Sequence, residues 1–280
     1  MLDGASRVGE MFEAAGAAGM PACAITDHGV MYGALEFYKT GSKSGVKPIL
    51  GMEGYLFAGD RHGDRLSQKE HGQKVFHLTL LAADDTGYRN LVKISTDAWL
   101  EGFHYFPRTD HEILAEHSDG LICLSGCLSA EIPKLIVNGD MAGARRKVAQ
   151  YREVFGDRFY LELQDHGIPV QRALNDELVK IGQEMSIPWV ATNDSHYTHK
   201  KDASAHEVLL CINTESELSD PNRFKFDSDE FYLKTPEEMA AKFARWPGGR
   251  WRNTGRSSET ASTSSSRTTA SPFKRPSTTS

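Results

Sequence analysis

Over residues 1–244, short apolar runs alternate with amphipathic stretches, and that alternation constrains the fold more than any other feature of the chain. Val8, Met11, Phe12, Ala15 and Ala18 recur at helical spacing and predict a helix over about residues 5–18. Ala22–Thr26 then reads as a buried strand, Met31–Lys43 as a helix that Gly45 closes, and Lys47–Phe57 as a strand interrupted by Gly51 and Gly54. Val75–Ala83, Gly120–Ser125, Arg158–Gln164 and Pro188–Thr192 read as further strands. Asp85–Trp99, Ser129–Val137, Met141–Phe155, Val170–Met185 and Ala203–Ile212 read as helices. About six strands alternating with helices predict an α/β fold of mostly parallel strands joined by right-handed crossovers, either a β/α barrel or an open doubly wound sheet. In both, chemistry collects at the carboxyl ends of the strands.

Composition supports a packed body with a different tail. The chain is 39% hydrophobic and 25% charged over 280 residues, enough for one large domain or two small ones. Residues 245–280 hold seven Lys/Arg and one Glu, so the net charge of −6 divides into +6 there and −12 over residues 1–244. An acidic body argues against a stand-alone nucleic-acid binder, because affinity for a phosphate backbone comes mostly from Lys and Arg. It leaves open an active site that takes a single phosphodiester with the help of metal ions. In the tail, 16 of 36 residues are Ser or Thr and none is Leu, Ile, Val or Met, so it cannot bury enough apolar surface to offset its ordering entropy. We therefore expect a domain over 1–244 and a disordered tail over 245–280. No apolar run approaches the roughly 18 residues of a membrane span, and no secretory leader is visible at the first residues. Four cysteines in a chain of this length do not suggest a disulfide framework. The expectation is a cytoplasmic protein without a membrane partner.

Strand ends carry the residues with chemistry. His28 follows Ile25-Thr26-Asp27, and His77 interrupts Val75–Leu80 on the face it shares with Thr79. Asp194 and His196 stand two apart after Trp189–Asn193, which places them on one side if the strand conformation persists. Cys127 follows Leu124-Ser125-Gly126, and Glu53 sits between Gly51 and Gly54. Each residue taken alone has a structural reading: a capping or core histidine, a helix cap, a buried thiol, a turn glutamate. Taken together, several strand ends each offer a His, Asp, Glu or Cys, the usual ligands of zinc and related divalent ions. Mixed nitrogen, oxygen and sulfur donors on several strands suggest a polynuclear site, which can acidify a water and clamp phosphate oxygens. We find no glycine-rich phosphate loop and no Ser/His/Asp or Cys/His nucleophile arrangement.

The same residues carry a family resemblance. Met1-Leu2-Asp3-Gly4-Ala5-Ser6, Ile25–Gly33, Lys47–Glu53, His77–Leu81, Leu124–Cys127, Ala191–Tyr197 and Glu230–Lys234 resemble, in order, the PHP (polymerase and histidinol phosphatase) domain found at the N-terminus of bacterial replicative DNA polymerase III alpha subunits. The resemblance covers roughly residues 1–244. It implies a distorted seven-stranded β/α barrel holding two or three divalent ions, zinc or manganese. The ligands, carried over by position, would be Asp3, His28, Glu53, His77, Cys127, Asp194 and His196. It also implies 3′–5′ exonuclease proofreading on a DNA 3′ end in the parent, with the remainder of the alpha subunit and the replisome as partners. The family places a strand with a His-x-His pair just before the Leu-Asp-Gly match, whereas this chain begins within that motif. The expectation is therefore a chain truncated at both ends, lacking the first barrel strand and two ligands, hydrolysing weakly or not at all, with a tail read out of frame. Two other readings stay open: a non-catalytic platform of the polymerase, and a phosphatase of the histidinol-phosphate type.

Overall fold

The computed structural model describes residues 4–59, 74–246 and 248. Asp3 and most of the basic tail lie outside them. The elements are α1 (Val8–Ala17), β1 (Ala22–His28), α2 (Ala34–Ser44), β2 (Lys47–Phe57), β3 (Val75–Ala82), α3 (Asp85–Leu100), β4 (Arg108–Thr109), α4 (His111–Glu116) and β5 (Leu121–Leu124). There follow α5 (Glu131–Val137), α6 (Met141–Phe155), β6 (Phe159–Leu163), α7 (Pro169–Met185), β7 (Trp189–Ala191), α8 (Ala203–Asn213) and α9 (Pro236–Phe243).

The strands form one seven-stranded sheet in the order β1-β2-β3-β5-β6-β7, with the two-residue β4 added to β2. It curls into a half barrel. The mixed α/β fold expected from the alternation is present, and the pairs β1–β2, β2–β4, β5–β6 and β6–β7 are parallel. The exception is β3, which runs antiparallel to both β2 and β5. That reversal has a consequence for chemistry: it brings the start of β3, and with it His77, to the same end of the sheet as the carboxyl ends of β1 and β5.

Apolar periodicity decides which faces are covered. Leu56, Leu80, Leu91, Ile94, Leu121, Phe159, Leu161, Leu178 and Ile181 are fully buried in the larger core, where sheet and helices meet. Burying a side chain of this kind stabilises the fold by roughly 1.5–3 kcal/mol. A smaller core of Phe12, Ala15, Cys23, Phe37 and Val46 holds α1 and α2 on β1, with the Phe12 and Phe37 rings 4.5 Å apart. Packing continues two residues beyond 244: Trp246 is buried in the larger core and its indole N–H donates to Asp176 at 2.8 Å. Polar capping fixes helix starts where the apolar pattern is silent. Asp84 accepts from the backbone N–H groups of Thr86 and Gly87 at α3, and Thr235 and Glu238 form a reciprocal capping box at α9.

Candidate metal centre

Strand register builds the site. In the β1–β2 pair His28 lies opposite Glu53, and in the β2–β3 pair Tyr55 lies opposite His77 and Glu53 opposite Thr79. Residues two apart on a strand share a face. His28, Glu53, Tyr55, His77 and Thr79 therefore emerge on one side of the sheet. The Glu53 carboxylate is buried and lies 2.7 Å from His77 Nδ1 and 3.5 Å from His28 Nδ1. The two imidazole rings are 5.3 Å apart. Ligand atoms of His28, Glu53 and His77 all lie within 4.8 Å of one another, the spacing at which one divalent ion could be shared.

The other sequence-predicted residues join this group from two turns. After β5, Gly126 takes a φ of +82°, and the chain brings Cys127 Sγ to 3.7 Å from His77 Nδ1. A Cβ at Gly126 would stand 2.6 Å from Ala130 Cβ and 2.9 Å from the His77 carbonyl oxygen, so only glycine fits between β3 and α5. After β7, Asp194 adopts a φ of +45°, a left-handed conformation that is costly for a non-glycine residue and frequent at ligand sites. His196 Nδ1 is 2.7 Å from the Asp194 carbonyl oxygen and donates to it, which leaves Nε2 for a ligand. Its ring packs edge-on against Phe226 and Phe231, and lies 6.5 Å from that of His28. Six of the seven candidates thus line or border one cleft of about 620 Å³, between β1 and the segment that follows β7. The seventh, Asp3, is outside the described residues.

Sequence reasoning missed a surrounding set of polar side chains. His166 is buried, stacks on Phe231 at 3.8 Å, donates from Nε2 to the Asn193 carbonyl oxygen and accepts from the Gln171 amide at Nδ1. Asn193 donates in turn to the carbonyl oxygens of Glu230 and Tyr232, which anchors the turn carrying Asp194 and His196. Trp99 donates its indole N–H to the carbonyl oxygen of Gly29, next to His28. Glu162, in the apolar run Phe159–Leu163, lines the cleft floor. The signal was available, since a carboxylate inside such a run is as anomalous as the imidazole of His77.

The electrostatics are those of crowded acids with imidazoles among them. Burial alone would raise the Glu53 carboxyl, but the hydrogen bond from His77 and the fields of His28, His77 and His196 outweigh it and hold the group below its ordinary range. Burial, then the charge of Glu53, raises Asp194. Burial followed by the charges of Glu53 and Asp194 raises the Cys127 thiol well above its ordinary value. Burial carries Glu162 to about 7, against hydrogen bonds that oppose it. Burial lowers His166 to about 4. Three carboxylates and a thiol around one cleft repel each other when ionised, and a divalent cation relieves that repulsion. The donor set, imidazole nitrogen, carboxylate oxygen and one sulfur, is one that divalent transition metals take. The residues present therefore fit a metal.

Comparison with known proteins gives the family. The PHP domain family matches residues 1–166, and the chain belongs to that family. Over 228 residues it is 50% identical to the DNA polymerase III subunit alpha of Thermus aquaticus, which covers 81% of this chain and 19% of that protein. Over 244 residues it is 46% identical to the subunit of the same name from Deinococcus radiodurans, covering 85% of this chain and 18% of that protein. The chain thus spans about a fifth of the length of the relatives it matches. Among solved structures it is similar to an amidohydrolase from Chromobacterium violaceum at a TM-score of 0.46 and 11% identity, covering 85% of this chain and 92% of that one, too loose a likeness to argue from.

Proposed function

We propose that this chain is the PHP portion of a replicative DNA polymerase III alpha subunit, and that its cleft is a metal-dependent phosphoesterase site acting on the 3′ end of DNA. The observation that carries the reading is the convergence of His28, Glu53 and His77 within 4.8 Å, with Cys127 beside them and Asp194 and His196 on the same cleft. These residues would hold zinc or manganese with Asp3 contributing, fewer ions than the two or three of the complete parent site. When bound, such ions acidify a water and stabilise the charge that develops on phosphate oxygens. The chain's own residues supply the rest. Glu53 holds both imidazoles in register, the His196 hydrogen bond to its neighbouring backbone fixes one tautomer, and the Phe226 and Phe231 rings prevent the imidazole from turning away. The identity of 41–50% with alpha subunits supports DNA as the substrate and the rest of the polymerase as the partner. No helix among the described residues is long and apolar enough to cross a membrane. The likeness to replicative polymerase subunits supports work in the cytoplasm.

The test pairs metal content with hydrolysis. The purified chain should bind zinc or manganese and release the 3′-terminal nucleotide of a labelled single strand slowly and only with metal present, and Asp194→Asn should abolish that release. Metal-free cleavage at the same rate, or release unaffected by Asp194→Asn, would overturn the reading.

A further inference from the structure

Glu162 does something that none of the candidate ligands does: it ties together the segments that carry them. The residue sits on β6 with 5% of its surface exposed. One carboxylate oxygen accepts from the backbone N–H of Gly126 at 3.1 Å and from the Thr79 hydroxyl at 3.5 Å. The other accepts from the Thr192 hydroxyl at 2.5 Å and from the Gln164 amide at 3.2 Å. Its own N–H donates to the Ser125 hydroxyl at 2.9 Å. Gly126 immediately precedes Cys127, Thr79 shares its strand face with His77, and Thr192 precedes Asp194 by two residues. One side chain thus fixes the spacing of a cysteine turn, a histidine strand and the Asp194–His196 turn.

A carboxylate suits this position chemically. Two of the four groups, the Gly126 N–H and the Gln164 amide NH2, meet it as donors, and the two hydroxyls can turn to donate as well. A carboxylate, with about four lone-pair sites when ionised, can accept from all four at once, which neither an amide nor a hydroxyl can. Core packing alone does not need such a group, since burying a carboxylate costs more than burying an apolar residue of equal size.

We propose that Glu162 is a positioning residue of the cation site: without coordinating the ion, it sets where Cys127 stands relative to His77, Asp194 and His196. The inference rests on the cation-site reading above. Outer groups that orient metal ligands are worth about 10–100-fold in affinity.

Cobalt(II) is the probe, added to the metal-free full chain, with two readouts: its dissociation constant and the sulfur-to-cobalt charge-transfer absorption that reports Cys127. Wild-type chain should bind and show the band. Glu162→Gln, which keeps the volume but turns one carboxylate oxygen into an NH2 donor and so removes two of the four acceptor sites, should bind about 10–100-fold more weakly with a diminished band, while the thermal midpoint of the metal-free chain stays within a few degrees of wild type. Thr192→Val, which removes one donor and leaves the carboxylate, should shift both readouts in the same direction by less, and it carries the test if Glu162→Gln does not fold. Wild-type affinity and an undiminished band in these variants would overturn the role of Glu162 while leaving the cation site standing. Failure of the wild-type chain to bind cobalt would overturn both.

Discussion

At the scale of single residues, the site is a problem in placing protons. Asp194 and Cys127 hold their protons to higher pH than usual because burial and the Glu53 charge disfavour their ionised forms. A metal needs both as anions, so binding must release protons. Zinc affinity should therefore rise with pH for as long as the free Cys127 thiol is protonated, and calorimetry in buffers of different ionisation enthalpy should show a net release of protons per site. No net release would contradict the assigned ligands. His77 has a single Nδ1 between Glu53 at 2.7 Å and Cys127 at 3.7 Å, and the nearer carboxylate holds it until a cation competes. We expect His77→Ala to weaken zinc binding by at least about 100-fold, more than the loss of an outer-shell group, as measured by competition with a chelator. His166 titrates the other way. Its folded pKa of about 4 lies below the ordinary 6.5, so the neutral form is the one the fold holds. Its contribution is complete above pH 6.5 and is lost as pH falls towards 4. The stability advantage of wild type over His166→Asn in urea unfolding should shrink by about 2–3 kcal/mol from pH 7 to 4. A constant difference would show that the imidazole titrates in the fold as it does in the unfolded chain, with no lowering of its pKa.

At the scale of elements, the turns decide the geometry. Gly126 couples β5 to α5 under the start of β3, so Gly126→Ala forces a Cβ against Ala130 and the His77 carbonyl as well as an unfavourable φ. The expected cost is more than about 1 kcal/mol of stability, measured by urea unfolding, together with weaker zinc binding. Unchanged stability would mean that the turn relaxes freely. Most of the elements were legible in the sequence because their apolar periodicities are long, as in Met141–Phe155 and Val170–Met185. The sense of β3 was not read from the alternation, which implies parallel crossovers. Yet no helix is read from the sequence between Phe57 and Val75, and parallel neighbours need a crossover while antiparallel ones do not. β4 has two residues, too few for any period, and α4 has six. Candidate ligands stood out because polar groups at strand ends are conspicuous. His166 and Asn193 did not, because their importance lies in partners 27 and 37 residues away.

For the whole molecule, the half-barrel sheet gathers chemistry at one end. Among the described residues β1 and β7 are the two ends of the sheet path, and the cleft runs between β1 and the turn after β7. The large core lies on the β2-to-β7 side and the small core under α1 and α2, so the site is framed by two separately packed bodies of side chains. The body carries a net charge of −12 over residues 1–244, and Glu53, Glu162 and Asp194 stand together at the cleft, an arrangement that favours cations over a bare phosphodiester. A nucleic-acid end can approach such a site once cations neutralise it. The central claim is that these strand-end side chains form one metal centre. The most direct measurement is the X-ray absorption spectrum of the zinc-loaded chain. We predict a shell of nitrogen and oxygen donors with a sulfur at about 2.3 Å, absent in Cys127→Ser. A shell of oxygen alone, the same in wild type and in Cys127→Ser, would contradict it.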